Sequence, residues 1–477
     1  MNYETVIGLE VHVHLSTRTK AFCGCSTAFG AEPNTQVCPV CLGFPGSLPV
    51  FNEEALTRAI KVALALNCKV QEYTKFDRKN YFYPDLPKNY QVSQYDLPLS
   101  LAGFLDIEMD AKALRIGITR VHMEEDAGKL IHRGEVSLVD FNRTGVPLLE
   151  IVSEPDIHSP EEAYEYLMAL KGVLLYLDVS DCDMEKGSLR CDANISLRPA
   201  GEKGLGVKSE LKNLNSFKAV KDALSFEIGR QSALLAQGDK VVQETRLWDD
   251  KGSRTVSMRT KEGAQDYRYF PEPDLPPFII SPGRIEEIKK SIPELPQEKL
   301  LRFMKDYGLP EINAKMIVLS REDAAYAEEC FNIYKGADKK AVVNWFIGPL
   351  FSEANARDCG VRRLGIPPQD LIDLIGFVER GELSNLSAKG VLTDMIDGKK
   401  PPAAIVKEKN LAQVSDSASL ESAAEDVIKE NAKSVSDYKA GKENALMFLV
   451  GQAMKRTKGK ANPKAVRDIL KRRIENA

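Results

Sequence analysis

The chain has 477 residues with 65 Lys and Arg against 69 Asp and Glu, a formal charge of −4, which excludes a wholly basic nucleic-acid coat protein. Its 43% hydrophobic and 28% charged residues match an ordinary globular protein that can bury a core, and the length suggests roughly two to four domains. No apolar run approaches the ~20 residues that span a bilayer. The N-terminus has no basic region ahead of an apolar stretch, so the expected compartment is the cytoplasm, with no membrane association. Nine cysteines, odd in number and unevenly spaced, are unlike a disulfide framework.

Residues 1–292 are dominated by period-2 alternation, the pattern of half-buried strands. In the first segment Val6, Leu9, Val11, Val13 and Leu15 are apolar, while Glu10, His12 and His14 share the opposite face. Helices are predicted from Asn52 to Leu66 behind an Asn52 cap, from Pro160 to Leu177 after Ser159, and from Ser216 to Gln237. Leu148 to Glu154 sets Glu150 on a defined strand face. Leu189, Cys191, Ala193, Ile195 and Leu197 alternate with Arg190, Asp192, Asn194, Ser196 and Arg198. A Pro-rich stretch, Pro271 to Pro282, ends this region, and residues 293–405 and 406–477 carry helical periods only, with a turn at Lys399 to Pro402. The expected fold class is α+β, with domain boundaries near 292 and 405.

Four constellations carry chemistry. Cys23, Cys25, Cys38 and Cys41 form two close pairs joined by a short loop, which can set four thiolates around one structural Zn²⁺; buried or coincidental cysteines are the alternative. Glu10, His12, Glu124, Glu125, Asp126, Glu150 and Asp192 form an acidic set with an imidazole. If the strands meet, such carboxylates need a cation, and oxygen-rich ligation suits Mg²⁺ or Mn²⁺; otherwise they are separate solvated faces. Arg78, Lys79, Arg190, Lys208, Lys212, Arg259, Lys261 and Arg268 are cations of the kind that hold phosphate, or else surface ion-pair partners. Gly201 to Ser209 fails both the Walker and the G-x-G-x-x-G patterns, so a nucleotide site has to be built on the sheet face. Finally, Leu446 to Ala477 holds nine basic residues, including Lys455, Arg456, Lys458 and Lys460, against two acidic ones. This is a footprint for a phosphate backbone or a solvated helix face, and with little aromatic interleaving it favours structured RNA. There is no G-x-S-x-G elbow and no Cys/His nucleophile pair outside the cysteine cluster.

The runs IGLEVHV (Ile7 to Val13), FDRKNYFYPDLPKNYQVSQYD (Phe76 to Asp96), HMEEDAGK (His122 to Lys129), LLEIVSEPD (Leu148 to Asp156), GSLRCDANISLRP (Gly187 to Pro199), ELKNLNSF (Glu210 to Phe217) and DYRYFPEPDLPP (Asp266 to Pro277) together resemble the GatB family, the amidating component of the aspartyl/glutamyl-tRNA amidotransferases. The tail GQAMKRTKGKANP (Gly451 to Pro463) resembles that family's closing helical domain. The resemblance implies a β-rich cradle of glutamine synthetase-like fold, a helical domain and a small helical tail that contacts tRNA. It implies a ligase in which ATP phosphorylates the side-chain carboxylate of Glu-tRNA(Gln) or Asp-tRNA(Asn) and ammonia then displaces phosphate. The ammonia comes from an amidase subunit, joined through a small linking subunit in a heterotrimer. Carried over residue by residue, the catalytic and magnesium-binding positions fall on Glu10, His12, Glu125 and Glu150, with Asp192 a further magnesium ligand. ATP phosphates fall to Lys79, Arg190, Lys261 and Arg268, zinc to the insertion at 23–41, and tRNA to Lys455, Arg456, Lys458 and Lys460. Lys186 stands where the family often has an acidic residue, beside the retained Glu185.

Overall fold

The computed structural model describes residues 3–109, 112–260, 267–336, 338–411, 417–457 and 463–475. It divides into two compact units, Met1–Pro296 and Gln297–Ala477. Lys261, Lys458 and Lys460, expected above to meet phosphate, lie outside the described residues.

The first unit is built on a nine-stranded sheet. Across it run Arg254–Thr260, Glu244–Asp249, Ser209–Lys212, Leu189–Pro199, Tyr3–His14, Pro147–Ser153, Lys112–Glu125, Ser100–Met109 and Lys69–Val70. Neighbours are antiparallel except Ser209–Lys212 with Glu244–Asp249. Alternation separates the two faces. Val11, Val13, Met123, Leu149, Ile151, Cys191, Ala193 and Ile195 are buried in one apolar cluster with residues of the helices Glu53–Ala65, Pro160–Tyr176 and Phe217–Ala236.

Each of these helices starts where the sequence signals it. Asn52, Ser159 and Ser216 accept the amides of Ala55, Glu162 and Ala219 at 3.2, 3.1 and 3.0 Å, satisfying donors that a helix start leaves open. A second, three-stranded sheet joins Phe270–Pro271, Asp77–Asn80 and Tyr90–Ser93. Arg78 clamps its ends by two 2.7 Å hydrogen bonds to Glu272, a bidentate geometry that fixes direction as well as distance.

In the second unit all described secondary structure is helical, and its described residues form two buried apolar clusters, one spanning Leu300 to Val406 and one Leu420 to Ile474. The boundary expected near 405 falls inside the helix Pro402–Glu408, because Ile405 and Val406 are buried in the earlier cluster. No described helix is long and apolar enough to cross a membrane.

Candidate functional site

The polar face of the sheet gathers side chains from four adjacent strands. Register pairs His12 with Glu150 on one side and with Arg190 on the other, and pairs Glu150 with His122. His12 Nε2 lies 3.5 Å from Glu150 Oε2, and His122 Nε2 lies 3.2 Å from both Glu150 Oε2 and Glu124 Oε1. The small sheet closes over Glu124: Ser93 Oγ donates to it at 2.7 Å and Gln91 Nε2 at 3.1 Å. The ligand atoms of His12, Glu124 and Glu150 all fall within 4.8 Å of one another.

The electrostatics of the cluster follow from burial and proximity. Burial raises the Glu150 carboxyl, but His122 and His12 facing it outweigh burial and hold it well below the usual carboxylate range. Burial likewise lowers His122, but Glu150 and Glu124 carry it up to about 9. Negative charge is thus concentrated on two carboxylates and answered by imidazole protons. One imidazole nitrogen with two carboxylates is a donor set that fits a hard divalent cation, which would replace those protons. The buried Nδ1 of His122 has no hydrogen-bond partner among the described residues.

A cleft of about 340 Å³ opens above this cluster, lined among others by His12, Lys79, Glu124, Asp126, Arg190 and Lys212. Lys79 is half-buried, its ammonium 4.9 Å from the centre of the Tyr267 ring. Burial lowers its pKa, but Glu124, Tyr269 and Glu150 together lift it above the ordinary lysine value. Asp126 ties the far wall together, meeting His14 at 2.5 Å, Arg190 at 3.0 Å and Arg143 at 3.3 Å. The cleft therefore carries fixed cations beside a candidate cation site, a setting suited to a polyanionic ligand.

Several expected residues stand elsewhere. Glu125 has the strand parity of the core residue Met123, so it points away from Glu124 and accepts from Lys88 and, at 2.9 Å, from the amide of Val92. Glu124 therefore takes the place in the ligand group that the family resemblance gave to Glu125. Glu10 accepts from Asn194 Nδ2 at 2.9 Å and lines a neighbouring pocket of about 270 Å³, while Asp192 is bound by Lys212; neither joins the group. Arg268 holds its guanidinium 5.8 Å over the Phe82 ring and is not among the cleft-lining residues. His122 was not singled out from sequence, and although His14 and Asp126 each were, their pairing was not. Their signal was parity: His122, Glu124 and Asp126 alternate along one segment, as Glu10, His12 and His14 do along another.

The four sulfurs of Cys23, Cys25, Cys38 and Cys41 also lie within 4.8 Å of one another, and those of Cys38 and Cys41 are 3.9 Å apart. A tetrahedral site with Zn–S bonds of about 2.3 Å needs sulfurs about 3.8 Å apart, so this cluster fits the metal. In the basic tail Lys455 is exposed. Arg456 pairs with Asp426 at 3.1 Å and Glu430 at 2.8 Å, and Arg472 and Arg473 pair with Glu421 at 2.7 and 2.8 Å. An acidic helix, Ser417–Glu430, thus neutralises part of the charge that looked segregated in sequence.

A mixed sheet whose polar face offers a candidate hard-cation site beside fixed cations is a setting suited to an anionic ligand. Comparison with known proteins narrows the class. Residues 5–286 match the GatB/GatE catalytic domain and residues 327–474 the GatB domain. The chain is similar over nearly its whole length to proteins named as the B subunit of aspartyl/glutamyl-tRNA(Asn/Gln) amidotransferase. That of Carboxydothermus hydrogenoformans is 54% identical over 99% of both chains. Its counterpart from Moorella thermoacetica is 54% identical over 99% of this chain and 100% of its own, and that from Persephonella marina 51% identical over 98% and 99%. The chain belongs to the GatB family.

Proposed function

We propose that this chain is the phosphorylating and amidating subunit of a tRNA-dependent amidotransferase, a ligase that forms a carbon–nitrogen bond with glutamine as amido donor. The γ-phosphoryl of ATP passes to the side-chain carboxylate of glutamate on tRNA(Gln) or aspartate on tRNA(Asn), and ADP leaves. Ammonia then attacks the acyl carbon, phosphate departs, and the amide remains on the tRNA. The observation that carries this reading is the grouping of His12, Glu124 and Glu150 at a cleft whose lining joins His12 and Glu124 to Lys79 and Arg190.

Magnesium held by His12, Glu124 and Glu150 would supply charge neutralisation where a carboxylate anion meets a polyanion. Glu10 and Asp192 flank that set. Lys79, kept charged by Glu124 and Glu150, and Arg190, oriented by Asp126, would hold the equatorial oxygens of the transferred group. Lys261 and Arg268 remain candidates for more distant phosphate oxygens. The acyl phosphate is labile in water, so the ammonia has to arrive from within an assembly. An amidase subunit and a small linking subunit in a cytoplasmic heterotrimer answer that need. Zinc in the four-cysteine cluster would be structural, since four protein ligands leave no open position. The exposed Lys455, with Lys458 and Lys460, would meet the tRNA backbone. Arg456 would act chiefly in holding its own helix against Ser417–Glu430.

The test uses the complex reconstituted with its amidase and linking subunits, with ammonium replacing glutamine. ADP and amidated tRNA should appear together, and only when misacylated tRNA is present. ADP formation indifferent to tRNA would replace this reading with a ligase acting on a small acid.

A further inference from the structure

Lys20 is fully buried, yet among the described residues no carboxylate comes within ion-pair distance of its ammonium. Its contacts are Cys41 Sγ at 3.6 Å and the Phe141 carbonyl at 3.4 Å. Glu125 lies close by, past Gly145, but is already engaged by Lys88 and the Val92 amide. A buried ammonium without an anion is costly. Cys41, itself buried, provides one only as a thiolate. Gly145 packs beside both residues: its φ of 82° lies in the left-handed region that favours glycine, and its Cβ position is within van der Waals contact of Lys20 Cδ (3.5 Å) and Cys41 Cβ (3.7 Å).

Backbone contacts fix the lysine in register with the cluster. The Lys20 amide donates to the Cys25 carbonyl at 3.0 Å, and its carbonyl accepts from the capping side chain of Asn52 at 3.2 Å. The Cys38 amide adds a second donor to Cys41 Sγ at 3.2 Å.

We infer that Lys20 is the counter-cation of the four-cysteine site. Four thiolates around Zn²⁺ form a dianion, and the buried ammonium against Cys41 cancels half of that excess, favouring metal retention. The assignment rests on the zinc reading above and adds a fifth residue to the site, one that touches a ligand rather than the metal.

The full-length chain, purified without chelators, is assayed for zinc by elemental analysis and for the rate of zinc transfer to a chromogenic chelator. Lys20→Met should release zinc roughly tenfold faster or more, as expected when the outer partner of a metal ligand is lost. Zinc in the wild type with equal transfer rates in both proteins overturns the assignment and leaves the zinc site standing, whereas absence of zinc from the wild type overturns both. A second arm decides the matter even where Lys20→Met alone does not fold. In Cys41→Ala the ammonium has lost its anion, so adding Lys20→Met should raise the melting temperature. A further fall would show that the two residues do not act as a pair.

Discussion

Glu124 and Glu125 are adjacent in the chain and serve opposite sides of the sheet: Glu124 joins His12 and Glu150 at the cleft, whereas Glu125 holds the ammonium of Lys88. The Lys88 and Glu125 side chains are only 11% and 3% exposed, so the pair is desolvated. Glu125→Gln strands a buried ammonium and should lower unfolding stability by about 3–5 kcal/mol, the usual result of breaking a buried ion pair from one side. Denaturant titration checks this, and a change within a few tenths of a kcal/mol would mean that Lys88 finds another partner.

Acid sensitivity should arise partly at Glu227. This buried carboxylate accepts from Arg230 at 2.8 Å and Thr255 at 2.6 Å, and Arg246 lies 3.1 Å away. Burial raises its pKa, but Arg230, Thr255 and Gln231 together bring it below 4.5. A depressed carboxylate contributes stability above its unfolded value, and that contribution is lost as pH falls through the folded value. Stability should therefore decline below about pH 4.5 in the wild type. Glu227→Gln should be less stable at neutral pH and show a flatter acid limb. Identical pH profiles for the two proteins would remove Glu227 from the account.

RNA binding by the tail should depend on Lys455 more than on Arg456, whose guanidinium is committed to Asp426 and Glu430. Lys455→Ala should reduce the slope of log affinity against log salt by roughly 0.7–0.9, the loss of one phosphate contact. Arg456→Ala should instead loosen the packing of its helix on Ser417–Glu430. Filter binding over a salt series separates the two, and an unchanged slope in Lys455→Ala would move the contact elsewhere.

Local features were legible in sequence and long-range ones were not. The Asn52, Ser159 and Ser216 caps and the alternation from Leu189 to Arg198 are encoded within a few residues, and the structure follows them. The cysteine pairs were equally direct, because their spacing limits where four sulfurs can go. The choice between Glu124 and Glu125 was not direct: it depends on strand phase, which is fixed by the pairing of Glu150 with His122 from a distant segment. The three-stranded sheet that covers Glu124 joins Phe270 to Arg78, a contact that no local pattern announces. The tail looked strongly basic because most of its acidic partners sit on an earlier helix, outside the segment from Leu446 to Ala477.

The most direct test of the central claim compares wild type and Glu124→Gln in the reconstituted complex, following ADP and amidated tRNA with misacylated tRNA, Mg²⁺-ATP and ammonium. Glu124→Gln should lose both products roughly 10²-fold or more, the scale on which a single charge-stabilising group acts, while the amidase partner still hydrolyses glutamine. Undiminished ADP and amidated tRNA in Glu124→Gln would contradict the assignment of the His12, Glu124 and Glu150 cluster as the phosphoryl-transfer site.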